Sequence, residues 1–393
     1  MGVGVEAMQK SGKSVEQATV PFIVRVRAYM MVITLIVLWV LFGVLTEGTY
    51  LSSRNMSLLL RQVSILGIAS IGMVMMLIMA QIDLSVGSTF ALFAGVAAIL
   101  EAYHAWGTLP VILLCLGGGL LVGAIHGFIV GWLNRPFAAF PVTLGGWMAW
   151  RGLENLLSGG IVVSPINPSH EFLGSGYLSK PLSFALLGAV ALIFVAAVLR
   201  TAIVQKRQGY ERSPKRLIRT VAVIVVFALF MAYVISFHGM PVPVLITLTL
   251  GGVFHFITQK TSFGRQLYAI GGNREAAHFS GINIRRNTML AFLLMGLLSA
   301  IGGLVFVGRL GVAEPQMGTY LEMDAIAACV IGGAAMLGGQ GTVVGALLGA
   351  FVIGSLDNGM SVLAVSSFWR FVVKGLVLVA VVYVDVTAKR LQK

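Results

Sequence analysis

Charge is what this sequence has least of: 10% of its 393 residues are Asp, Glu, Lys or Arg, and only 14 are acidic. A soluble domain carries about a quarter charged residues, so there is too little polar surface here to face water on all sides. Cysteine is almost missing as well. Cys115 and Cys329 fall in separate apolar segments, which argues against a disulfide framework or a cysteine zinc site and leaves both as small buried hydrophobes. The six histidines show no HExxH or comparable ligand spacing, so His126 and His255, inside apolar runs, read as helix-packing residues. Nor is a nucleotide site evident. Gly12, Lys13 and Ser14 look like the end of a phosphate-binding loop, but Ala7 stands where that loop needs its first glycine. The first 20 residues lack the apolar core of a cleaved signal, so the first span is expected to direct insertion.

What is abundant is hydrophobic sequence, 58% of the chain, with 48 glycines embedded in it. A bilayer accepts an apolar exterior, and small residues let helices approach closely inside it. Runs long enough to cross, ~20 residues, centre on 28–45, 63–80, 86–103, 109–130, 138–158, 182–200, 220–237, 243–258, 288–308, 323–339, 342–358 and 369–386. The expected fold is therefore an all-α integral membrane protein, a polytopic bundle of about 12 (10–12) transmembrane helices. The 323–358 pair reads either as two full spans or as one broken, re-entrant element.

The net charge of +13 does not point to nucleic acid, because the basic clusters lack interleaved aromatics and sit between apolar runs. They mark topology instead. With the N-terminus inside, 20 of the 27 Lys and Arg residues fall in inside segments; Arg54, Arg61, Arg151, Lys180, Arg309 and Arg370 fall outside, and Lys374 lies within a span. That bias predicts cytoplasmic tails at 1–27 and 387–393 around a membrane domain at 28–386. Within it, 180–240 is a hairpin around a basic cytoplasmic loop, Arg200 to Arg219, that anchors beside anionic lipid or meets a partner.

Gly119, Gly123, Ala124, Gly127 and Val130 recur at the same spacing as Gly341, Gly345, Ala346, Gly349 and Val352. In this topology the two helices run oppositely, as in a weak inverted repeat, though helix packing alone also favours such small-residue patterns. Asp83 and Asp324 each stand near the start of an apolar helix, where a carboxylate caps free N–H groups. The alternative is that Asp83, Ser85, Asp324, Asp357 and Asn358 line a translocation path, since intramembrane charge is costly and marks pathways. An Asp357–Lys374 pair is one expectation; Arg151 and Glu154, three apart on a helix, neutralising each other is another. Trp106, Trp132, Trp147, Trp150 and Trp369 fall near span ends, as interfacial aromatics do.

Thr261 to Arg286 is the most informative stretch. Asn273 suits an N-cap, 274–280 has helical composition, and Gly281 suits a C′ position. That pattern predicts a short capped helix between two spans, shaped either to enter a groove on a soluble partner or merely to connect. The sequence GGNREAAHFSGINI at 271–284 resembles the coupling loop of permeases in ribose-type and xylose-type sugar ABC importers. So do IDLSVGS at 82–88, LEMDAIAACVIGG at 321–333, GGQGTVVGALLGAF at 338–351 and LDNGMS at 356–361. The likeness runs from about Tyr50 to the C-terminus and is interrupted near 180–240, a length that fits the xylose-type branch. Ala80 and Gln81 depart from the Gly-Gly frequent in that family.

The resemblance implies an ABC importer permease fold in a bacterial inner membrane, both termini cytoplasmic, acting as a homodimer surrounded by lipid. Gly271, Gly272, Asn273, Arg274, Glu275, Ala276, Ala277, Ser280 and Gly281 would contact a separate ATPase subunit. That partner, not this chain, would hold ATP and Mg, and a periplasmic binding protein would deliver the monosaccharide, D-xylose. Two alternatives remain open on residues alone: a carrier driven by an ion gradient, and a membrane enzyme or lipid-binding scaffold, for which no convergent set of acids and bases is seen.

Overall fold

The computed structural model describes residues 22–135, 138–207 and 214–390. The Gly12–Ser14 tail and the centre of the Arg200–Arg219 loop lie outside the described residues. Among the described residues, fifteen α-helices follow one another: α1 (Phe22–Leu45), α2 (Ser53–Ile78), α3 (Val86–Ala102), α4 (Thr108–Leu133), α5 (Ala139–Ser158), α6 (Pro168–Ser175), α7 (Lys180–Arg207) and α8 (Pro214–His238), then α9 (Val242–Lys260), α10 (Ser262–Gly272), α11 (Arg274–Phe279), α12 (Ile284–Leu310), α13 (Leu321–Ile331), α14 (Val343–Val362) and α15 (Ser367–Arg390). No strand occurs among the described residues, only the isolated bridges Val163–Ala313 and Tyr177–Pro241. Among the described residues, seven helices are both long and apolar enough to cross a bilayer.

Eleven of the twelve apolar runs become helices of 17 residues or more; the twelfth does not. The run at 323–339 yields only α13, 11 residues, which at 1.5 Å per residue covers about half of a ~30 Å hydrocarbon core. Its continuation, 332–342, is turn and coil rich in glycine, with Gly333, Gly338, Gly339 and Gly341 at positive φ. The open alternative therefore resolves as a broken element. At the ends, α1 starts at Phe22, inside the expected 1–27 tail, because the apolar run already begins at Phe22, Ile23 and Val24, and α15 runs on through Lys389 to Arg390.

The core is built from two copies of one three-helix unit, α2–α3–α4 and α12–α13–α14. In each copy an irregular segment, 79–85 or 311–320, separates the first helix from the second. The copies interlock: α2 packs against α13 and α14, while α12 packs against α3 and α4. Their sense is opposite. α4 ends at Asn134, which accepts a bond from Arg274 of α11 (2.8 Å), whereas α14 begins beside Gly341, whose carbonyl accepts from Tyr268 of α10 (2.6 Å). One helix thus arrives at the α10–α11 side where its counterpart departs.

Glycines make this interlock close. A Cβ on Gly123 would overlap the Phe292 carbonyl oxygen of α12, and one on Gly296 of α12 would overlap that of Gly119 on α4; inside the second copy, one on Gly349 would overlap that of Ala328 on α13. α2 is central, with 78% of its most apolar stretch buried, against 6% for α7. A helix apolar on every face belongs in a core or in lipid: α2 takes the first place and the α7–α8 hairpin the second.

Candidate functional site

Two constellations sit at opposite ends of the interlocked units. The first is the elbow of α10 and α11. Thr261 caps α10 by accepting from the Gly264 amide (3.2 Å). Asn273 ends α10 and starts α11 at once, its own amide bonding Ala269 O and its Oδ1 accepting from the Ala276 amide (2.9 Å). Such a cap contributes ~1 kcal/mol. Ser280 closes the helix, Gly281 turns the chain at φ 80°, and Asn283 caps α12 through the Arg286 amide (2.9 Å). The chemistry of the residues therefore dictates two short rigid rods joined at one asparagine.

The elbow grips the inner ends of three core helices. Gly271 lies against Ile78 O at the end of α2, where a Cβ would overlap that oxygen and approach the Gly339 amide at 2.7 Å. Arg274 holds Asn134 of α4, and Tyr268 holds Gly341 before α14. Burial pulls the Arg274 guanidinium below its ordinary value and pushes the Tyr268 hydroxyl up, the Gln259 bond opposing the latter; both remain protonated donors at neutral pH. Ala277 is buried, while Gly272, Glu275, Ala276, Ser280 and Gly281 are exposed. Phe279, which sequence reasoning passed over, is 86% exposed. The only signal for it was a bulky ring in an otherwise small and polar helix.

The second constellation is a cavity of about 260 Å³ near the opposite end, walled by α2, the end of α12, the 311–320 segment, the start of α13 and α14. Its polar lining includes Gln62, Arg309, Glu314, Thr319, Asp324 and Asp357. Lys374 of α15 donates to Asp324 Oδ2 at 2.7 Å. Asp357 Oδ2 accepts from Gln62 (2.8 Å), and Oδ1 lies 3.8 Å from Arg370. The expected Asp357–Lys374 pair is thus replaced by two pairs, because Arg370 and Lys374, one turn apart on α15, reach different helices.

Asp83, Ser85 and Asn358 do not line the cavity. Asp83 Oδ1 accepts from the Ser85 amide (2.8 Å) and hydroxyl (2.6 Å), fixing the break before α3. Asn358 accepts from Asn55 across to α2 (2.9 Å). Asp324, in the first turn of α13, pairs with Lys374 instead of capping. Arg151 and Glu154 offset each other's charge, as expected, but form no direct ion pair. Arg151 donates to the carbonyls of Pro315 (3.0 Å) and Met317 (2.8 Å), holding the cavity wall from behind, and Glu154 is buried against Gly95 of α3. A further buried pair, Glu101–His170 at 2.8 Å, bridges α3 and α6, with His170 Nε2 3.1 Å from Leu304 O. His126 meets Trp150 Nε1 at 3.2 Å, so Trp150 packs inside, unlike the exposed Trp106, Trp132 and Trp369. Cys115 and Cys329 are buried and free.

Residues 55–382 match the family model described as branched-chain amino acid transport system / permease component. The chain belongs to that family. It is 42% identical over 374 residues to the xylose transport system permease protein of Haemophilus influenzae, covering 93% of this chain and 98% of the relative. With the Escherichia coli K12 xylose permease it shares 41% over 371 residues, 93% of each. With the ribose import permease of Bacillus subtilis it shares 32% over 339 residues, 86% of each. No solved structure matches.

In this family member the Asp324–Lys374 bond makes a direct prediction. The side chains are 25% and 14% exposed, between the surface and buried limits, so coupling of about 1–3 kcal/mol is expected. Lys374→Met strands the carboxylate and should lower the melting midpoint more than the Asp324→Asn/Lys374→Met double. Additive effects in the double-mutant cycle would show that the two do not interact.

Proposed function

We propose that the chain is the membrane permease subunit of an ATP-binding-cassette importer that carries D-xylose across a bacterial inner membrane. The observation that carries this reading is the near full-length identity to xylose permeases. Transport, not catalysis, is the role of this subunit. A separate ATPase holds ATP and Mg and docks on the α10–α11 elbow, a periplasmic protein delivers the sugar on the opposite face, and two copies of the chain flank the pathway in lipid.

In this reading the elbow is cytoplasmic, as are both termini, and the residues from Gly271 to Gly281 divide the coupling task. Glu275, Ala276, Ser280 and Phe279 meet the ATPase. Gly271, Asn273, Arg274, Ala277 and Gly281 keep the rod shaped and seated, while Gly272 leaves the partner room. A push on α11 travels through Arg274–Asn134, Gly271–Ile78 and Tyr268–Gly341 to α4, α2 and α14 together, so both copies of the repeat are rocked at once. Asp324 and Asp357 stand on the sugar path, with Asp83, Ser85 and Asn358 maintaining its framework.

The ion-gradient carrier finds no support among relatives that are permeases of transport and import systems. The test is reconstitution with the partner ATPase and binding protein: uptake of labelled xylose should require ATP and persist when ion gradients are collapsed. Uptake that survives without ATP but falls with the proton gradient would overturn the reading. A Glu275→Cys variant should react with an impermeant maleimide in inverted vesicles and not in intact cells; the reverse would invert the topology.

A further inference from the structure

We infer that the cavity between the two repeat units is a transient binding site for the monosaccharide within the permease itself. The inference rests on the monosaccharide-permease reading above. It adds a place, a set of contacts and a ligand class.

Position is the first ground. The 311–320 segment is irregular backbone between two apolar helices, and such backbone is tolerated at membrane depth where protein buries it or it lines a cavity. Here it lines one wall, while the broken helix α13 and the long helices α2 and α14 supply the others. Arg151 fixes that wall through Pro315 O and Met317 O. The site is therefore built from both copies of the repeat, where relative rocking changes its shape.

Charge is the second ground, and it selects the ligand class. Glu314, Asp324 and Asp357 are matched by Arg309 in the lining and by Arg370 and Lys374 behind it. Arg61, repelling Arg309, and Glu322, repelling Asp324, add one charge of each sign, so the formal sum is zero. An ion entering gains no net Coulombic attraction and loses its hydration, whereas a neutral ligand with many hydroxyls meets acceptors and donors side by side. Lys374 occupies only Oδ2 of Asp324, and Gln62 uses its Nε2 on Asp357; Asp324 Oδ1 and Gln62 Oε1 remain to accept from hydroxyls. Thr319, whose hydroxyl donates to Gln316 O (2.7 Å), adds an oxygen that accepts, and the ring of Phe306 adds an apolar surface for the C–H face of a sugar.

Size is the third. About 260 Å³ lies near the ~300 Å³ lower bound of small-molecule sites, which suits a monosaccharide and excludes larger oligosaccharides. Few unpaired groups are offered, so the site holds its ligand weakly, as a passage must.

The test uses the full-length permease in lipid nanodiscs, with D-xylose as probe and saturation-transfer NMR as readout. Wild type should transfer saturation to the sugar, and Gln62→Leu should weaken it about tenfold, the loss expected for one hydrogen bond to a charged or fixed group. Gln62→Leu also strips a bond from Asp357, so Thr319→Val, on an exposed loop, is the companion variant, and its melting midpoint should stay at the wild-type value. Equal transfer by wild type and both variants would overturn the site, as would saturable sodium binding at the cavity with no response to xylose. ATP-driven uptake by the reconstituted wild-type complex separates the two levels: uptake present with unaltered transfer in the variants sinks the site alone, and absence of ATP-driven uptake sinks the permease reading beneath it.

Discussion

Glu275→Ala combined with Phe279→Ala should abolish ATP-driven sugar uptake while leaving the permease folded. Phe279 is 86% exposed at the far end of α11, and Glu275 is exposed one turn before it; neither has a hydrogen bond or an ion pair elsewhere in the fold. An aromatic side chain held rigidly in water by a capped helix is the type that anchors interfaces. Burying it against a partner contributes ~1.5–3 kcal/mol, and truncation at such an anchor commonly costs 2 kcal/mol or more. The double variant should therefore lose the copurifying ATPase by at least about thirtyfold in affinity and show a wild-type melting midpoint. Wild-type uptake and an undiminished ATPase complement would remove the elbow from the coupling surface. Gly281→Val probes the other half of the argument: at φ 80° a β-branched residue is strained, so the helix end itself should fray and uptake should fall with it.

That elbow is where sequence and structure agree most closely. Its caps are local, set by Asn273, Gly281 and Asn283 within a few residues, and local hydrogen-bond logic survives without knowledge of the tertiary fold. Even so, 262–272 folds as a second helix that the capping pattern after Asn273 did not disclose. The inverted repeat was equally legible, because glycines at spacings of four mark a helix stripe and that stripe must face a close neighbour. What the sequence withheld lies across long separations. Lys374 chose Asp324, not Asp357, because depth along α15 relative to α13 and α14 depends on packing no spacing rule encodes. Arg151 keeps Glu154, one turn away, as its charge partner but gives its hydrogen bonds to two carbonyls about 165 positions on, since an irregular segment with unpaired backbone acceptors needs donors more than a carboxylate does. The length of α13 is open in the sequence for a similar reason: 323–339 is apolar enough to span, and it is the glycines after Ile331 that end the helix early and select the broken element.

Alanine at Gly123 or Gly349 should destabilise the protein markedly, whereas alanine at Gly117, Gly145 or Gly188 should not. All five glycines sit in helices, so substitution at each gains helix propensity of ~1 kcal/mol, and only the surroundings differ. Nothing lies within 4 Å of a Cβ built on Gly117, Gly145 or Gly188; these variants should melt at or slightly above wild type. At Gly123 the new methyl would overlap Phe292 O and approach Leu293 Cα at 2.9 Å, and at Gly349 it would overlap Ala328 O. Backbone cannot step aside as a flexible side chain can, so α4 must separate from α12, or α14 from α13. Overpacking typically costs ~1–3 kcal/mol, and moving a whole helix forfeits the contacts along its length, so low recovery from detergent extraction and a melting midpoint lowered by several degrees are expected. The two positions belong to opposite copies of the repeat, and each seals its own helix pair. If close glycine contacts hold the bundle both between the copies, at Gly123, and within one, at Gly349, the two variants should fail alike, and the Gly123→Ala/Gly349→Ala double should fail additively because the sites share no neighbour. A wild-type melt for Gly123→Ala would mean that the copies are held together by something other than this glycine contact, and one for Gly349→Ala that α13 and α14 do not depend on theirs.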